Sequence, residues 1–214
     1  MGSILLIGSP GTGKTRLILK YLKYYNKALW VSTTESAPDV RKKLNDYSGD
    51  LWVVDTHTWD QKVNVTGKDI IVSNPMNLNE VSIAIGRALD NLKKNYFIAF
   101  DSISGLLLYH TPQKVIHFLR NIVVRMNSDR SGGIFTLVKN AHDIHAETSI
   151  SLIFHNIVEL ERIFNHNNVR RLIKIIRASE YVEREIDELK LVKNDLIISD
   201  ELDRFIRSQL SIKT

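Results

Sequence analysis

The eight residues Gly8-Ser9-Pro10-Gly11-Thr12-Gly13-Lys14-Thr15 constrain this chain more than any other stretch. They match the spacing G-x-x-x-x-G-K-[ST], a loop whose backbone N–H groups turn inward around phosphates. The pattern has that meaning only between a strand and a helix, and the flanks predict both. Ser3-Ile4-Leu5-Leu6-Ile7 is the short apolar run expected of a strand buried on both faces. Leu17, Ile18, Tyr21, Leu22 and Tyr25 then recur at helical spacing, with Arg16, Lys20 and Lys23 between them. Lys14 is expected to reach β- and γ-phosphates, and the Thr15 hydroxyl to sit on Mg²⁺. The helix starting near Lys14 would point its partial positive charge the same way. Residues 8–15 therefore predict a nucleoside triphosphate site.

At 214 residues the length suggests a single domain over 1–214, with a core in 1–178 and a strand and helix extension in 179–214. There is no cysteine, which excludes disulfides and cysteine-based zinc sites. No apolar run of 18 residues exists, and the N-terminus reads as a buried strand rather than a signal peptide, so a soluble, cytoplasmic protein without a membrane partner is expected. The net charge of +5 lies before residue 159, where 18 Lys and Arg stand against 13 Asp and Glu; residues 159–214 hold 11 of each. No block of five like charges and no basic stripe interleaved with aromatics is present, so DNA is an open but unfavoured partner.

Along the chain, strands are expected at 28–32, 51–55, 70–72 and 96–100. Helices are expected from Pro38 through Tyr47, over 79–94 and over 112–126. Residues 56–69 show no periodicity and predict a surface excursion. Gly132-Gly133 predicts a break before a strand at 134–138. Alternation of strands and helices to this point argues a mostly parallel sheet flanked by helices. The segments 156–161 and 169–176, joined by the turn-rich Asn165-His166-Asn167-Asn168, read as a C-terminal antiparallel hairpin at one sheet edge. A further strand pair within 189–198 and a final helix over 200–209 complete the expected α/β fold.

A second half to the site needs an acid at the end of an apolar strand, where it can hold Mg²⁺ through water opposite Thr15. Asp101 meets this description, and Asp55, also ending a strand, is the alternative. The Gly8–Thr15 loop, the run Trp30-Val31-Ser32-Thr33-Thr34-Glu35-Ser36-Ala37-Pro38-Asp39 and the run Ile98-Ala99-Phe100-Asp101-Ser102-Ile103-Ser104-Gly105-Leu106 together resemble the KaiC-like branch of the RecA superfamily. Gly133-Ile134-Phe135-Thr136-Leu137 and Ile157-Val158-Glu159-Leu160 continue the match over roughly residues 3–178. Within that branch the chain looks most like short archaeal proteins grouped with GvpD and RadB.

The resemblance implies a RecA-like P-loop ATPase with a catalytic acid just after the second strand. Relatives often have two adjacent acids there. This chain has Thr34-Glu35, which makes Glu35 the candidate base and implies slow hydrolysis. Rings of this family often send a Lys-x-Arg-Gly strand end to the neighbour's γ-phosphate. Here Arg177 keeps the arginine, Ile175 and Ala178 replace its lysine and glycine, and Lys174 falls one residue off, on the opposite strand face. Relatives also carry residues ahead of the first strand that help subunits pack; this chain begins almost on that strand, so ring assembly does not carry over from the resemblance.

His142-Asp143-Ile144-His145 lacks the further ligands of a metal site and reads as polar loop residues. Lys139, Asn140 and His142 are sensor candidates after a strand. Trp30, Trp52 and Trp59 read as core and rim aromatics. The expectation is an Mg-ATP-binding ATPase: Lys14, Glu35 and Arg177 catalytic, Gly8, Ser9, Pro10, Gly11, Thr12, Gly13, Lys14 and Thr15 around the nucleotide, and slow turnover regulating a protein partner or a homo-oligomer. The alternatives are a RadB-like recombination accessory that binds DNA or a recombinase, and a nucleotide-binding scaffold without turnover.

Overall fold

Ser3–Gly8 forms β1, whose residues alternate between two apolar layers: Ile4 and Leu6 face one, Leu5 the other. The same division holds in β2 (Lys27–Ser32), where Ala28 and Trp30 oppose Leu29 and Val31. A strand apolar on both faces belongs in the middle of a covered sheet, and that is where these lie. The computed structural model describes residues 2–212 except 60, 166, 167 and 194.

The remaining elements, in chain order with β1 and β2, are α1 (Lys14–Leu22) between those strands, then α2 (Ala37–Lys43), β3 (Asp50–Asp55), β4 (Asp69–Ile71), α3 (Leu78–Leu92), β5 (Phe97–Asp101), α4 (Ile103–Leu106), α5 (Pro112–Ser128), β6 (Gly132–Leu137), α6 (Ile144–Ser151), β7 (Asn156–Asn165), β8 (Asn168–Arg177), β9 (Ile186–Glu188), β10 (Lys190–Val192), β11 (Asp195–Ile197) and α7 (Asp200–Gln209). Nine strands make one sheet in the order β4-β3-β2-β5-β6-β1-β7-β8-β9, and β10 and β11 pair separately. From β4 to β7 all pairs are parallel; β8 and β9 are added antiparallel. The two edge strands, β4 and β9, are three residues each. Among the described residues no helix is long and apolar enough to cross a membrane.

One layer holds Leu17, Ile18 and Tyr21 of α1 with Leu202, Phe205 and Ile206 of α7; the other holds Val81, Ile85 and Leu89 of α3 with Phe118, Leu119 and Met126 of α5. The Tyr21 hydroxyl donates to Asp203 at 2.9 Å and ties the last helix to α1. Burial beside that carboxylate pushes the Tyr21 phenol far above its ordinary value.

Several expectations shift. The helix after Pro38 ends at Lys43 rather than Tyr47, because Leu44 leaves helical geometry at φ −106° and ψ 23° and the Tyr47 N–H turns back to Leu44 O at 3.0 Å. Gly132 and Gly133 begin β6 instead of breaking the chain before it. They are small for packing: a Cβ on Gly133 would fall 2.8 Å from Ile98 O and 3.0 Å from Met126 Sδ. The tetrad 142–145 is not all loop, since Asp143 accepts the His145 N–H at 2.8 Å and caps α6. Both hairpin strands run longer than expected. Of the turn residues proposed between them, His166 and Asn167 lie outside the described residues.

Candidate functional site

The loop between β1 and α1 takes its shape from glycines at 11 and 13, whose φ values of 77° and 111° lie where a side chain is strained. The buried Thr12 hydroxyl donates to Ser9 O at 2.9 Å and closes the turn. Lys14 folds back into it, its ammonium donating to Gly8 O at 2.5 Å and Ser9 O at 3.0 Å. Burial pushes the Lys14 pKa below its ordinary value, and the nearby Asp101 charge pulls it up again. α1 carries no acid of its own in its first turn, so its positive N-terminal end is left to acceptors from other elements.

Asp101 closes β5, two strands from β1 with β6 between. Its Oδ2 accepts from the Thr15 hydroxyl at 3.2 Å and its Oδ1 from the Thr136 hydroxyl of β6 at 2.7 Å. Thr136 was not singled out in the sequence; the signal was a lone hydroxyl in an apolar strand, legible only once β6 is known to separate β1 from β5. Thr33 links the ends of β2 and β5, its N–H donating to Asp101 O at 2.9 Å and its hydroxyl to Ser102 O at 2.8 Å.

Glu35 leaves β2 on the adjoining loop, its N–H donating to Ser32 Oγ at 3.1 Å, and its carboxylate meets the Lys43 ammonium at the end of α2. Asp55, by contrast, is wholly buried and saturated. It accepts from Ala37 N at 2.7 Å, His57 N at 2.8 Å, Thr58 N at 2.9 Å and the Thr58 hydroxyl at 2.6 Å. Its work is to fasten α2 and the loop after β3.

The family model for the KaiC ATPase matches residues 1–187. The chain belongs to the KaiC ATPase family. Its fold is the KaiC-like, RecA-superfamily P-loop architecture. Among solved structures, a KaiC-like protein from the hyperthermophilic archaeon Pyrococcus horikoshii OT3 matches with a TM-score of 0.67 at 15% identity, over 92% of this chain and 89% of that one. At that identity the likeness is one of fold. No curated protein sequence matches the chain.

In this KaiC-family domain Arg177 lies away from its own loop. Its guanidinium donates to Ser151 O at 3.1 Å and Phe154 O at 3.3 Å, at the end of α6. Its register partner Ile157 pairs with Leu5, three residues before Gly8, so Arg177 sits at the opposite end of the strands from the loop. Lys174 pairs with Glu161. Lys139 and Asn140 do stand beside the loop, lining a cleft of about 250 Å³ with Ser9 and Arg162, although the Lys139 ammonium is held by Glu159 at 2.7 Å. The His142 N–H donates to Glu147, and no group of three His, Cys, Asp or Glu among the described residues is arranged around a metal. Trp30 is core, and Trp59 meets Tyr109 edge-on. A second cavity, about 460 Å³, opens beside Thr15 and is lined by Arg16, Lys23, Lys43 and Tyr47.

Proposed function

We propose that the chain binds Mg-ATP in the Gly8–Thr15 loop, hydrolyses it slowly, and uses the change to regulate a protein partner or its own assembly. The observation that carries this is the 3.2 Å hydrogen bond from Thr15 to Asp101, which joins the loop to an acid at the end of β5. The pair fits Mg²⁺, which takes one or two protein oxygens and leaves its other positions to water and phosphate. When bound, Mg²⁺ neutralises charge on the β- and γ-phosphate oxygens.

This chain's own groups supply the rest. The Lys14 ammonium exchanges the Gly8 and Ser9 carbonyls for phosphate oxygens, and the loop amides stabilise the charge that develops during in-line attack. Glu35 orients the attacking water after leaving Lys43. Two features support slow turnover: the single acid after β2 is held in an ion pair, and Arg177 can serve only a neighbouring subunit. The ion pair is also the one observation that favours the scaffold alternative, and phosphate release at high protein concentration separates the two. The direct test is Lys14→Ala followed by calorimetry with Mg-ATP. Binding is expected to disappear, and an affinity equal to that of the unaltered protein would refute the site.

A further inference from the structure

Beyond Leu160, which pairs with the last residue of β1, the β7–β8 hairpin continues above the loop, flanked only on its β8 side by β9 and Leu189. From Leu160 to Asn165 the overhang is about 16 Å. Its two faces treat charge differently. On the face turned from α1, three cations each have an acid: Lys174 pairs with Glu161, Arg170 with Glu188 at 3.3 Å, and the incoming Lys139 with Glu159. On the face shared with α1, marked by the buried Leu160 and Ile173, Arg162 and Arg171 lie directly opposite each other in register. Like charges so placed destabilise a strand pair. Among the described residues neither has a carboxylate partner, and Arg171 Nε is buried without any hydrogen-bond partner.

Arg162 is positioned over the loop, and Arg171 is its cross-strand partner on the same face. Arg162 Nη1 lies 2.9 Å from where a Cβ on Gly11 would be, its guanidinium stacked 4.6 Å above the Phe164 ring. On the other side of Arg171, Leu189 donates its N–H to Arg171 O at 2.8 Å, and the Leu189 and Leu191 side chains reach within 3.9 Å of the Cβ position on Gly13. Arg171 is thus bracketed by one neighbour that touches Gly11 and another that touches Gly13.

We infer that Arg162 and Arg171 form a guanidinium clamp, supplied by the same chain, for the phosphate tail of the nucleotide. The inference rests on the nucleotide site proposed above. A planar guanidinium presents paired N–H donors that match phosphate oxygens, and an anion between two arginines offsets their cross-strand repulsion. Arg162, stacked on Phe164, keeps its N–H edge free for such a ligand.

The test uses the full chain with Arg162→Ala, Arg171→Ala, the double variant and both lysine replacements. Calorimetry follows Mg-ATP and, as a tail without a nucleoside, tripolyphosphate. Each alanine variant is expected to weaken both ligands about 10–100-fold, with partial recovery in the lysine variants. Ligand-free thermal unfolding should be unchanged or slightly raised by either alanine, because a repulsion is removed. Wild-type affinities in the double variant, with Lys14→Ala still abolishing ATP binding, would overturn the clamp alone. Loss of affinity for a single-stranded oligonucleotide with ATP affinity intact would also overturn it and assign the pair to nucleic acid. If Lys14→Ala leaves ATP affinity unchanged, the nucleotide site and the clamp fall together.

Discussion

Asp55 and Asp101 occupy equivalent places, each ending an apolar strand and each in register with Ser32 of the strand between them. Their surroundings differ. Asp55 is held by three backbone N–H groups and one hydroxyl, donors fixed by the fold. Asp101 is held by two threonine hydroxyls, Thr15 and Thr136, which can rotate toward other acceptors at little cost. An acid saturated by main-chain donors is part of the scaffold. One held by hydroxyls can exchange them for the water shell of a cation.

The contrast can be broken by experiment, and the largest effect is expected at Asp101. Replacing Asp101 with Ala should lower Mg-dependent ATP hydrolysis by about 10²–10³-fold while moving the urea midpoint little. A steady-state phosphate-release assay beside an unfolding curve checks both parts. Asp55→Ala should do the reverse, leaving buried donors unmatched and costing about 3–4 kcal/mol of stability in the same unfolding measurement. If the two variants lose stability equally, the distinction between their donors is without consequence. Glu35 sharpens the comparison, because its partner is a half-exposed side chain. Such a pair is worth about 0–1 kcal/mol, so Lys43→Ala should raise turnover by at most about fivefold. A fall would place Lys43 among the groups that assist the reaction.

The loop was legible because its chemistry is local: eight consecutive residues carry it, and Gly11 and Gly13 have the positive φ such a turn needs. Asp101 was legible as a strand end, and α7 at its full extent, because Leu202, Phe205 and Ile206 repeat at helical spacing. What distinguishes Asp101 from Asp55 was not readable, since it depends on which strand lies between β1 and β5. Arg162 and Arg171 were missed for the same reason. They become neighbours only through hairpin register, and Arg162 meets Gly11 only through the order of β1, β7 and β8. Arg177 was placed from its position in a motif, while its hydrogen bonds are made to the carbonyls ending α6.

The sheet finishes on both sides in strands of three residues, Asp69–Ile71 and Ile186–Glu188. So brief a margin exposes few main-chain groups for another polypeptide to zip onto, which guards against runaway strand-by-strand stacking. Copies of this chain that associate must therefore meet through helices, loops or the raised hairpin. Any such union would be selected by side-chain fit rather than by main-chain pairing.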